Sequence, residues 1–142
     1  MNGLPENMAS GKTGFSFHKN ERLCSKKVID KLFTEGKTVF VYPLKIVYLE
    51  TQLPLKNKVQ AGFSVGKRNF KKAVQRNLIK RRMREAYRLN KQKLYDETGE
   101  NHLAVFFIYT GKTISEYKQI ETAVNKAIKK LNELRKMNGS NP

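Results

Sequence analysis

The stretch GFSVGKRNFKKAVQRNLIKRRMREAYR, residues 62–88, holds the switch in hydrophobic period on which the fold turns. Phe63 and Val65 alternate with Gly62 and Ser64, and they continue the alternation of Val59 and Ala61 against Gln60. A period of two is that of a strand with one buried face, so the spacing predicts a third strand ending at Val65. From Asn69 the period becomes helical and can run to Leu89, roughly 20 residues or ~30 Å at 1.5 Å per residue. Ile79, Met83, Ala86 and Tyr87 fall together as an apolar stripe at about 100° per residue. With Arg76 at zero, Lys80, Arg84, Arg88 and Arg81 lie near ~40°, ~80°, ~120° and ~140°. The helix can therefore bury one side and still present a cationic face.

On the N-terminal side, Ser25 can cap a short helix over about 25–35, in which Val28, Ile29, Leu32 and Phe33 share a side and Gly36 stands at the terminator position. Thr38 to Tyr42 and Leu44 to Glu50 are rich in β-branched and aromatic residues and predict two strands broken by Pro43. On the C-terminal side, His102 to Thr110 predicts a buried fourth strand. Thr113 with Glu116 predicts a capping box for a last helix, with Ile120, Val124, Ala127, Ile128, Leu131 and Leu134 as its apolar stripe. The order αβββαβα predicts an α+β fold, a four-stranded sheet with helices packed on it. At 142 residues, one domain is expected over 15–137, with a flexible arm at 1–14 and a frayed tail at 138–142.

The chain carries 29 Lys and Arg against 12 Asp and Glu, a net charge of +17. The stretch 67–93 alone holds 12 of the cations and one acid, Glu85, leaving only +6 for all the rest. Charge so concentrated is not a uniform solubility device. Arg76, Lys80, Arg84 and Arg88 form successive like-charge i,i+4 pairs, each unfavourable to an isolated helix by a few tenths of a kcal/mol. An external polyanion would offset that repulsion, and arginine-rich content suits forked hydrogen bonding to phosphate. A mixed-sign run would simply be a solvated face.

Other classes fall away. Cys24 has no cysteine partner for an intrachain disulfide, and Cys24 with His18 and His102 forms no recognisable metal motif. The longest apolar run, Leu103 to Tyr109, is far short of the ~20 residues of a membrane span, and no signal-peptide stretch opens the chain. No membrane partner is expected, because the basic helix has too narrow an apolar stripe to lie in a bilayer surface. The expected location is the cytoplasm. Zinc-finger spacing, heptads and a helix-turn-helix pattern are missing, which favours RNA over DNA.

The same residues 62–88 resemble the protein subunit of bacterial ribonuclease P, as does ERLCSKKVIDKLFTEGKTV at 21–39, and the likeness extends over about 120 residues. Ser64-Val65, Lys67-Arg68, Arg76-Asn77, Lys80-Arg81 and Arg84-Glu85 match the family's strand end and basic helix. Leu78 stands where the family commonly has Arg. The resemblance implies a left-handed crossover around the basic helix, where general rules favour a right-handed one. It also implies a ribonucleoprotein that removes the 5′ leader of precursor tRNA, with an RNA subunit and Mg²⁺ carrying out the hydrolysis. The partners implied are the catalytic RNA and precursor tRNA, with no obligate protein partner.

No catalytic or metal-ligating residue is assigned to the polypeptide, which shows no paired-carboxylate or histidine constellation. Lys67, Arg68, Arg76, Asn77, Lys80, Arg81, Arg84 and Arg88 are the candidate RNA contacts, through phosphate and 2′-hydroxyl groups. The family's leader cleft, between sheet and first helix, implies Phe33, Tyr48 and Ile29 as its lining. Phe33 matches a family aromatic, Ile29 stands where a second aromatic often occurs, and both serve equally well as plain core. Tyr48 depends on strand register, since a slip of one residue inverts its face. Two alternatives stay open: a structural RNA-binder such as a ribosomal protein, and a nuclease acting without RNA.

Overall fold

The computed structural model describes residues 21–51, 59–97 and 102–139, without the side chains of 51, 95–97 and 136–139. The elements are α1 (Lys26–Glu35), β1 (Lys37–Val41), β2 (Leu44–Thr51), β3 (Val59–Val65), α2 (Ala73–Glu97), β4 (His102–Tyr109) and α3 (Tyr117–Gly139). The sheet order is β1-β2-β4-β3, with β3 and β4 parallel and the other pairs antiparallel. Parallel neighbours need a crossover, and α2 is that crossover. The order αβββαβα and the α+β class agree with the sequence reading. The arm at 1–14 lies outside the described residues, and α3 continues to Gly139, past the expected boundary at 137.

The sheet is apolar on both faces. On one side Ile46, Tyr48, Val59, Ala61, Leu103, Val105 and Phe107 pack with Ile79, Met83, Ala86 and Tyr87 of α2 and with Ile120, Val124, Ala127, Ile128 and Leu131 of α3. All four residues of the α2 stripe are completely buried, so tertiary packing supports a helix whose surface charges repel. On the other side α1 places Val28 and Leu32 against Val47 and Ala104 and leaves part of the sheet uncovered.

Local signals explain most boundaries. The Ser25 hydroxyl accepts from the Val28 N–H, and the Gly36 N–H closes α1 on the Leu32 carbonyl at 2.8 Å. Gly36 is needed for close approach, because a Cβ there would stand 2.3 Å from the Leu32 oxygen and 2.9 Å from that of Tyr48. Helix α2 begins four residues later than expected and runs eight residues further. Leu94, completely buried in the core shared with α3, gives that added length a packing partner.

The capping box expected from Thr113 and Glu116 does not form, since α3 starts at Tyr117. The Tyr109 hydroxyl organises the approach instead. It lies 2.5 Å from the Thr113 carbonyl, 2.7 Å from Ser115 Oγ and accepts from the Ser115 N–H at 2.9 Å. Arg82 of α2 then donates to the Ser115 carbonyl at 2.6 Å, fixing the start of α3 against α2. A side chain from β4 thus takes over a job that the local sequence assigned to a cap.

Candidate nucleic-acid interface

The cations of 67–93 divide into those used inside the chain and those turned outward. Lys91 is buried in an ion pair with Glu21. Arg88 and Glu85 make a forked pair at 2.7 and 3.0 Å. Their hydrogen bond is the main reason that the Glu85 carboxyl sits below, and the Arg88 guanidinium above, its ordinary pKa. Arg76 Nη1 donates to the Phe70 and Lys71 carbonyls at 2.7 and 2.9 Å, tying the turn before α2 to its first turn. Among the described residues no carboxylate pairs with Lys67, Arg68, Lys80, Arg81 or Arg84. Lys67, Arg68, Asn77, Arg81 and Arg84 are exposed and Lys80 is half-buried.

The structure therefore brings Asn77, Lys80, Arg81 and Arg84 to the outer side of α2, with Lys67 and Arg68 at its entrance. Arg88 belongs to the same angular sector but is engaged with Glu85. Lys91, one of the 12 cations of 67–93, is a buried structural residue. Its partner is 70 residues away, so nothing in the local pattern signals it.

The second surface is the part of the sheet that α1 leaves open. Paired residues share a face, and the register sets two rows there: Thr38-Val47-Phe106-Gly62 and Phe40-Lys45-Ile108-Ser64. Phe33 of α1, 50% exposed, packs on Phe106 with ring centroids 5.4 Å apart. Ile29 is half-buried beside the same cluster. Lys45 stands over the Phe40 ring at 5.8 Å, and Phe40 is 66% exposed. Gly62 makes room for Phe106, because a Cβ would lie 2.7 Å from its ring.

Tyr48 is not in this cleft. It belongs to the row Lys37-Tyr48-Val105-Ala61 on the opposite face, where it is buried in the core with α2 and α3. Burial, then the charge of Glu50, raises its phenol pKa. The cleft aromatic opposite Phe33 is Phe106, which sequence reasoning placed only within a buried strand. The Phe106-Phe107 pair puts one ring on each face, and an all-apolar strand gives no alternation to tell them apart.

This geometry defines a small basic α+β protein with two distinct surfaces, a cationic helix flank and an aromatic face on the part of the sheet that α1 leaves open. Comparison with known proteins makes the class specific. The family model "Ribonuclease P" matches residues 17–132. A ribonuclease P protein component of Porphyromonas gingivalis is 36% identical over 119 residues, covering 80% of this chain and 85% of that one. One of Chlorobium phaeobacteroides is 38% identical over 106 residues, covering 68% and 73%. The RNase P protein of Thermotoga maritima shares the fold with a TM-score of 0.61 at 22% identity, covering 78% of this chain and 96% of that one. That of Staphylococcus aureus superposes with a TM-score of 0.62 at 19% identity, covering 78% and 94%. The chain belongs to the ribonuclease P protein family, the protein component of that ribonuclease.

Proposed function

We propose that the chain grips the RNA subunit of ribonuclease P through the outer side of α2 and receives the single-stranded 5′ leader of precursor tRNA in the cleft between α1 and the sheet. The observation that carries this reading is the pair of surfaces on opposite faces of one sheet. Lys67, Arg68, Lys80, Arg81 and Arg84, with Asn77, offer donors to phosphate and 2′-hydroxyl groups. Phe33, Phe106 and Phe40 offer rings on which unpaired bases can stack without reading sequence, and Lys45 adds a cation between them. A strand in the cleft and a folded RNA on α2 can be held at once, because β3 and β4 separate them.

The cleavage chemistry is assigned to the RNA. Among the described residues no group of three or more His, Cys, Asp or Glu side chains could hold a metal ion. The role of these residues is to bind and orient. Among the described residues no helix is long and apolar enough to cross a membrane. The test is reconstitution: the chain mixed with a bacterial ribonuclease P RNA at low Mg²⁺ should accelerate release of the 5′ leader from precursor tRNA. Leader release by the RNA-free polypeptide, or no effect on the RNA's activity, would overturn the proposal.

A further inference from the structure

A groove of about 420 Å³ lies at the other edge of the sheet, between the β1–β2 turn and the first turns of α3. That size is within the range of clefts that seat small ligands. Val41, Pro43 and Ala123 form an apolar floor, Tyr42 stands at its side 79% exposed, and Lys118 and Lys126 border it. The lining contains no acid. The two lysines are eight residues apart, about 12 Å along one helix, and about 80° apart around it. They bracket the groove from one side while the Tyr42 ring offers the other. An exposed ring beside two cations over an apolar floor matches what an unstacked base with flanking phosphates requires.

The groove also continues the cationic surface of α2. Val41, Leu44, Tyr109 and Val65 are register partners across one end of the sheet. The segments leaving that end are therefore side by side: Tyr42-Pro43, then Thr110 to Lys112, then Gly66 to Arg68. The width is about 14 Å for three inter-strand steps. Lys67, Arg68 and Lys112 are exposed there, so positive charge runs from the α2 entrance to the groove.

We infer that the Tyr42 groove seats one unstacked nucleotide from a single-stranded segment of the RNA subunit, its base on the Tyr42 ring and its phosphates on Lys118 and Lys126. This rests on the RNA-binding reading proposed above and adds a contact site that neither α2 nor the leader cleft contains.

The test measures equilibrium binding of the full chain to a bacterial ribonuclease P RNA without precursor tRNA, across a salt series. Tyr42→Ala should weaken binding roughly 5- to 150-fold, the range of one base–aromatic stack, while Tyr42→Phe stays near wild type. Lys118→Ala with Lys126→Ala should reduce the salt slope by about 1.4, for two single-strand phosphates. Both lysines are exposed, so this variant keeps the test independent of any effect of Tyr42→Ala on the turn. Wild-type affinity and slope in these variants, with weakened binding in Arg81→Ala/Arg84→Ala, would overturn the groove and leave the α2 reading standing. Failure of the wild-type chain to bind the RNA would overturn the α2 reading and the groove's assignment with it. Unchanged RNA binding with a defect confined to leader-bearing precursor in the assembled particle would also overturn the assignment.

Discussion

Replacing Arg81 and Arg84 together by alanine isolates the electrostatic grip of α2. If Lys67, Arg68, Lys80, Arg81 and Arg84 each neutralise one phosphate, the salt slope is about −4.5 on the duplex scale of 0.9 per phosphate. Raising salt from 50 to 200 mM should then weaken wild-type binding about 500-fold. The double variant keeps three contacts and should lose only about 40-fold over the same range. At 100 mM, extrapolating the electrostatic part to 1 M, the two missing contacts cost roughly 60-fold in affinity. The fold should not suffer. Both side chains are exposed, neither pairs with a carboxylate among the described residues, and the buried stripe Ile79, Met83, Ala86 and Tyr87 is untouched. Removing Arg84, the like-charge i,i+4 neighbour of Lys80 and Arg88, should leave the helix equal or slightly better off. Filter binding or fluorescence titration at four salt concentrations measures the slope, and circular-dichroism melting checks the fold. An unchanged slope, or a melting temperature that falls by many degrees, would refute the assignment of this side of α2 to RNA.

Phe33 and Tyr48 should part company. Phe33→Ala is expected to cost about 1 kcal/mol or less, the scale of one aromatic pair, yet to lower the particle's preference for leader-bearing precursor over mature tRNA; Tyr48→Ala should cost about 3–5 kcal/mol as a core cavity, read by urea denaturation. Gly62→Ala forces the Phe106 ring to move, so it should destabilise by about 1–3 kcal/mol and weaken leader binding along with Phe33→Ala. Lys91→Met removes one half of the buried Lys91–Glu21 ion pair and should cost about 3–5 kcal/mol, most of it recovered when Glu21→Leu is added; equal stability of the two variants would argue against a buried pair. The Glu85 carboxyl is lowered first by its hydrogen bond from Arg88, with burial opposing, so the unfolded chain takes up that proton first as pH falls. Its contribution is complete above about pH 5 and lost through the acid range. Arg88→Ala should flatten that acid limb slightly in pH-dependent melting, the effect being small because Glu85 is 45% exposed.

Two kinds of information were written in the chain itself. Element order, the buried stripe of α2 and its opposing cations follow from local periodicity, because a helix of repeating 3.6 residues fixes which side chains share a side whatever it packs against. The terminator at Gly36 and the cap at Ser25 are equally local. Which cations remain available was decided by pairing geometry that a charge count does not contain: Glu21, 70 residues away, withdraws Lys91, and within the segment the Phe70 and Lys71 carbonyls engage Arg76 and Glu85 claims Arg88. The cleft was hidden for a different reason. Strands apolar on both faces carry no alternation, so only pairing register could send Tyr48 to the core and Phe106 to Phe33. The start of α3 likewise waited on Tyr109, whose hydroxyl reaches from β4 to residues that its own segment could not have named. Periodicity determines what a helix can present, and tertiary pairing decides which groups are left over to present it.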